Sequence, residues 1–224
     1  MNLIRRAANN SDPRSLAIRL RQRRFQLFKR LLQDVPRPAK ILDVGGTQQF
    51  WEMMGFVNEP DIHITLLNLY PVQTKYPNFT SVVGDGTDLK QFGDGEFDVV
   101  FSNSVIEHVG TFANQQRMAQ EIQRVGKRYF VQTPNFYFPI EPHFLFPGFH
   151  WLPIKARVWL VTHFSLGWYR KMDDVTAAQR AVQSIRLLTK AEMRKLFPGA
   201  KIHCERFLLL GKSFIAYHWG DDSK

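Results

Sequence analysis

Five short β-rich runs separated by crossover-length segments constrain this chain more than any other feature. They are residues 41–44, 63–69, 80–83, 97–102 and 129–133. Helical patterns fit between them after Gln48 and over 112–124, with a shorter one near Val72. Tight hairpins cannot join strands spaced this way, so the pattern predicts a mostly parallel sheet with helices on both faces. A helix over 189–197 follows, where Thr189 and Glu192 have the spacing of a capping box. Two closing strands at 201–208 and 213–218 complete a seven-stranded α/β fold. Ligands of such sheets bind beyond the carboxyl ends of the parallel strands, at the switch point of strand order. Those ends are where chemistry is expected.

With 224 residues and 44% apolar content, the chain can bury a full core without metal or disulfide staples. Its single cysteine, Cys204, excludes an internal disulfide framework and a cysteine-based zinc site. No apolar run reaches the roughly 18–20 residues of a membrane span. The arginine-rich start lacks the apolar centre of a signal peptide. A soluble, cytoplasmic protein is expected.

The net charge of +10 is unevenly placed. Residues 1–40 hold eleven Lys or Arg against Asp12 and Asp34, a net of +9, which leaves +1 for the remainder. The basicity therefore belongs to an N-terminal arm, residues 1–37, and not to the body, residues 38–224. No nucleic-acid partner is expected. Within the arm, residues 15–33 read as a helix with Ser11, Asp12 and Pro13 as start signals and Pro36 and Pro38 as stops. Leu16, Leu20, Leu27 and Leu31 share one face, widened by Ile18, Phe25, Phe28 and Leu32, with Arg19, Arg23, Gln26 and Arg30 opposite. Two readings stay open: docking onto the body, or peripheral contact with an anionic membrane surface or acidic partner.

The first strand runs as Ile41-Leu42-Asp43-Val44 into Gly45-Gly46-Thr47, a tight turn where glycines allow positive φ and close approach of a ligand. The spacing is neither the dinucleotide fingerprint nor a P-loop. The second strand ends Leu67-Asn68-Leu69 and the third runs into Gly84-Asp85-Gly86-Thr87. The fourth continues Asp98-Val99-Val100-Phe101-Ser102-Asn103-Ser104-Val105-Ile106-Glu107-His108-Val109. Taken in order, these segments resemble the class I S-adenosylmethionine-dependent methyltransferases over about residues 38–135, and the closing strand pair fits that family's terminal hairpin. The resemblance implies a Rossmann-like sheet with strand 7 antiparallel and S-adenosyl-L-methionine as cofactor.

It also implies roles. Asp43, Gly45, Gly46 and Thr47 would line the turn beside the methionine part, and Asn68 with Leu69 would meet the ribose. Asp85, Gly86 and Thr87 would lie beside the adenine, the Asp85 carboxylate accepting from its amine. Ser102 and Asn103 would face the sulfonium and its methyl group. The chain departs from the family's pattern in having adjacent glycines and an amide, Asn68, where an acid is common. An amide still pairs with a hydroxyl but loses the charge-assisted bond. Weaker cofactor binding is expected, with Asn68→Asp binding as well or better.

Residues 136–170 hold eleven of the thirty aromatics and four prolines, which breaks the strand–helix alternation and marks a lid-like insert after the fifth strand. Glu141, His143 and His150 stand inside it, and polar groups in such surroundings need partners or a task. These three and His108 are the candidate catalytic residues. His108 either touches cofactor or substrate, as a base among other roles, or only orients its own segment. The insert residues either line an acceptor pocket, cap local turns or, less simply, hold a metal; no metal is expected. The aromatics form a small core, a platform for a ring-shaped acceptor or a membrane-facing patch. The function expected is methyl transfer to oxygen or nitrogen of a small-molecule, sugar-containing or lipid-linked acceptor. The alternative is a non-catalytic binding or scaffold protein that keeps the fold.

Overall fold

The computed structural model describes residues 14–220. Its elements are α1 (Leu16–Leu32), β1 (Ala39–Val44), α2 (Gln48–Met53), β2 (Ile62–Asn68), β3 (Phe79–Val83), β4 (Val99–Asn103), α3 (Phe112–Val125) and β5 (Tyr129–Pro134). Then come α4 (Ile154–His163), α5 (Val175–Gln183), α6 (Lys190–Leu196), β6 (Lys201–Phe207) and β7 (Leu210–His218). One seven-stranded sheet has the order β3-β2-β1-β4-β5-β7-β6. Strands β1 to β5 pair in parallel, whereas β7 runs antiparallel to both β5 and β6. The order reverses between β1 and β4, so their carboxyl ends open a crevice there.

Each face of the sheet is covered by its own core. On one side α3 and α6 bring Met118, Ile122, Val125, Met193 and Phe197 against Leu42, Val44, Val100 and Val131. On the other, α1 and α2 bring Phe25, Phe28, Leu32 and Trp51 against Ile41, Ile64, Phe101 and Phe130. The ring of Phe28 meets those of Phe101 and Phe130 at 4.8 and 5.4 Å between centroids. The apolar face of α1 is thus largely spent on the body, although Leu16 stays exposed. Ser15 caps α1, its hydroxyl accepting from Ile18 N at 3.1 Å. The sequence-based start signals Ser11, Asp12 and Pro13 lie outside the described residues.

Two expectations are corrected. No helix forms near Val72; residues 71–75 are held as loop by Ser81 Oγ, which accepts from Val72 N, and Gln48 Oε1, which accepts from Lys75 N. Strand β4 begins at Val99, because Phe97 makes only an isolated bridge to Gly126. Beyond these, the segment 136–170 after β5 forms no strand among the described residues but does form a helix. Helix α4 begins directly after Pro153, which suits a helix entry. It packs with α5 around a separate small core of Phe144, Phe149, Val161, Ala178 and Val182.

Candidate active site

The turn after β1 shows why two glycines stand together. Gly45 has φ +75°, a conformation that side chains other than glycine rarely adopt. A Cβ on Gly46 would overlap the Asp43 carboxylate. That carboxylate is buried and accepts from Trp51 Nε1 at 2.7 Å. Burial pushes Asp43 up to about 7, against the opposing effect of the Trp51 bond. Thr47 caps α2, its hydroxyl accepting from Phe50 N. Asn68, at the end of β2, donates from Nδ2 to Gly46 O at 2.9 Å. That bond revises the expectation for Asn68→Asp: a carboxylate there would face the Gly46 carbonyl, so the amide is the fitting side chain.

Beyond β2 and β3 the surface suits a nucleoside. Leu69 is 64% exposed, giving an apolar platform beside Asn68. Asp85 is exposed, and its Oδ1 accepts from Thr87 N and Thr87 Oγ1 at 2.8 and 2.9 Å. Its second oxygen is free of these bonds and can accept from an exocyclic amine. Gly86 packs against Val44, where a Cβ would come within 2.7 Å of Cγ1. An apolar face flanked by an acceptor is what an adenine ring requires, so these residues fit the implied cofactor.

At the end of β4 the two candidates part. Ser102 is fully buried and donates to Val44 O at 3.2 Å, tying β4 to β1, so its side chain does not reach the crevice. Asn103 is part-buried, and its Oδ1 accepts from Arg24 Nη1 at 2.5 Å. Arg24 was missed by the sequence reading. It also donates to Gln132 Oε1 and Glu205 Oε2, each at 2.8 Å, locking α1 onto β4, β5 and β6. The usable signal was its position: Arg24 lies four residues from both Leu20 and Phe28, within the apolar stripe. Ser104 follows with φ 59°, held by bonds from its N to Gln132 O and from its hydroxyl to Gln132 Oε1. Non-glycine residues in that region cluster at functional sites.

Three of the four candidate catalytic residues meet. Glu141 is buried, and its Oε2 accepts from the backbone N of His143 and Phe144. Its Oε1 pairs with His143 Nδ1 at 2.5 Å. His143 Nε2 faces His108 Nε2 at 3.0 Å, so one proton lies between the two rings. Burial alone would lower His143, but the bond and charge of Glu141, with Glu107, outweigh it and raise the imidazole. Crowding by protein and the His143 charge push His108 down to about 4, though part of the residue faces solvent. Glu107 lies fully buried beneath, accepting from Thr133 Oγ1 at 3.0 Å while its Oε1 has no hydrogen-bond partner among the described residues. Burial pushes Glu107 up to about 7. Glu107, His108 and His143 bring donor atoms within 4.8 Å of one another, a set that could hold a cation.

His150 stands apart from this chain. Its Nε2 bonds Phe136 O at 2.7 Å, and it shares with Glu141 the wall of a cavity of about 320 Å³. Among the described residues, no helix is long and apolar enough to cross a membrane.

Comparison with known proteins agrees with this geometry. A family model described as a methyltransferase domain matches residues 42–129. Two uncharacterised proteins of Mycobacterium tuberculosis strains are 37% identical over 62 residues, which span 28% of this chain and 21% of theirs. Among solved structures, the CurJ carbon methyltransferase superposes with a TM-score of 0.53 at 12% identity, covering 88% of this chain and 53% of that one. The N-terminal domain of EvdMO1, solved with SAH and D-fucose, gives 0.52 at 13% identity, covering 93% and 83%. The chain thus carries a methyltransferase-domain match over residues 42–129, within a sheet whose order and fold it shares with solved methyltransferases, while it spans only about a fifth of the length of the curated relatives it matches.

Proposed function

We propose that the protein methylates an oxygen or nitrogen of a small-molecule, sugar-containing or lipid-linked acceptor, with His108, His143 and Glu141 moving the acceptor's proton. The observation that carries this reading is the Glu141–His143–His108 chain, with contacts of 2.5 and 3.0 Å. It joins the segment after β5 to the segment after β4. The bound cofactor supplies a sulfonium methyl group with a good leaving group, so much of the catalysis comes from holding the acceptor in line.

The remaining problem is the acceptor's proton. His108, low in pKa and neutral near pH 7, takes it on the ring nitrogen turned away from His143. Starting from the neutral pair, the proton on His108 Nε2 passes to His143 Nε2, whose imidazolium is then stabilised by Glu141 and keeps His108 neutral. The weak base thus touches the acceptor and the stronger one stores the charge, which keeps the acceptor's own oxygen or nitrogen free to attack. Asp43, Gly45, Gly46, Thr47, Asn68, Leu69, Asp85, Gly86, Thr87 and Asn103 form the cofactor side. Ser102 supports it from beneath. The aromatic segment 136–170 covers the acceptor side, with His150 in its wall.

The test pairs calorimetric titration of S-adenosyl-L-methionine with radiolabelled methyl transfer to a panel of hydroxyl and amine acceptors. His143→Ala should lower transfer on the order of a hundredfold, the scale of one general acid–base group. Its cofactor affinity should stay within about twofold, below roughly 0.5 kcal/mol. Failure of the wild-type protein to bind the cofactor would leave the scaffold alternative standing.

A further inference from the structure

The cavity of about 320 Å³ lies between the aromatic insert and the segment leading into α6. Its wall holds two buried polar atoms with no partner among the described residues, Arg157 Nε and His150 Nδ1. We infer that this cavity binds an acidic group, carboxylate or phosphate, of the acceptor, with Arg157 taking the anion and His150 Nδ1 accepting from a hydroxyl other than the group that is methylated. The inference rests on the reading of residues 136–170 as acceptor-side cover.

The unmet hydrogen-bonding capacity of the wall points to an anion. Glu141 already accepts from His143 N, His143 Nδ1 and Phe144 N. Arg186 donates to Glu192 Oε1 and Gln115 Oε1, and Glu192 also caps Thr189. Arg157 is half-buried; its Nε is buried with no hydrogen-bond partner among the described residues, and burial lowers its pKa against the opposing charge of Glu141. Buried charges are ordinarily paired. A ligand anion would supply the missing partner, in the two-point manner a guanidinium favours.

The chemistry of His150 adds the second point. Its Nε2 faces a carbonyl oxygen, which can only accept, so that nitrogen carries the hydrogen. Burial lowers the pKa of the ring, against the Phe136 carbonyl, so Nδ1 keeps a lone pair and asks for a donor. The rings of Phe136, Phe144 and Phe149 supply flat apolar walls between the two polar points. The volume lies at the small end of the usual range for small-molecule pockets, about 300–1,000 Å³. The site therefore suits a compact ring carrying an acid and a hydroxyl.

The experiment uses 3-hydroxybenzoate and its uncharged isostere 3-hydroxybenzamide, titrated into the full chain by calorimetry without cofactor. The acid should bind at least about tenfold tighter than the amide. In Arg157→Gln the two should differ by less than about twofold, whereas Arg180→Gln, an exposed arginine on α5, should leave the wild-type preference intact. Equal binding of acid and amide by the wild type, binding of neither, or a preference that survives in Arg157→Gln overturns the inference. The wild-type comparison needs no variant to fold. Because no turnover is measured, a lost preference with intact methyl transfer refutes this site alone, and an inert His143→Ala with intact preference refutes only the proton path.

Discussion

Replacing Arg24 by Met keeps the stem that packs beneath α1 but removes the guanidinium that joins three strands. Arg24 and Glu205 are 6% and 10% exposed at their side chains, with 2.8 Å between charged atoms. Breaking a buried pair from one side costs about 3–5 kcal/mol, because the remaining charge keeps its desolvation penalty. Two details favour the lower end. Ser213 Oγ still donates to Glu205 Oε2, and Ser104 Oγ still donates to Gln132 Oε1. A loss of about 3 kcal/mol corresponds to roughly 6–12 °C in Tm for a domain of this size.

The pH dependence gives a sharper signature. Burial alone would raise Glu205, but the charge and hydrogen bond of Arg24, with Lys212 and Ser213, hold it below its ordinary value of 4.5. A carboxylate depressed in the folded state adds stability that is fully present above its unfolded pKa and is lost as pH falls through the folded one. Without Arg24 that contribution shrinks or reverses, so Arg24→Met should lose more at pH 7 than at pH 4. Thermal melts of Arg24→Met, Glu205→Gln and the double variant at both pH values provide the assay. A loss below about 1 kcal/mol, equal losses at both pH values, or a double variant as unstable as the two singles summed would refute the reasoning.

Glu107, raised by burial to about 7, costs stability progressively as pH rises from its ordinary 4.5 to that value, so Glu107→Gln should raise Tm at pH 8 by about 2–3 kcal/mol equivalent and do little at pH 4. Asp85→Ala should weaken cofactor binding by about 1.5–3 kcal/mol in calorimetry. Asn68→Asp should weaken it too, since the Gly46 carbonyl would lose its donor. Phe28→Ala should cost about 3–5 kcal/mol in chemical denaturation, because the ring is fully buried between α2 and the sheet.

The sequence by itself determined the parallel strands, their glycine turns and the resemblance to class I methyltransferases. Strand propensity, turn chemistry and capping act over a few residues and are written in order along the chain, as with Gly45-Gly46 and Thr189 with Glu192. It also placed His108, Glu141 and His143 as candidates, from the strand ends they follow. What it could not decide was which long-range partners those groups take. His108 and His143 are thirty-five residues apart and meet only because β4 and β5 are neighbours in the sheet. Ser102 and Asn103 are adjacent, yet one turns into the sheet and the other toward Arg24. Arg24 shares the apolar stripe with Leu20 and Phe28, but its partners Asn103, Gln132 and Glu205 are supplied only when packing of Phe25 and Phe28 pins α1 across the strand ends. Local preferences fix the elements, whereas the pairing of buried charges depends on how the elements close over one another.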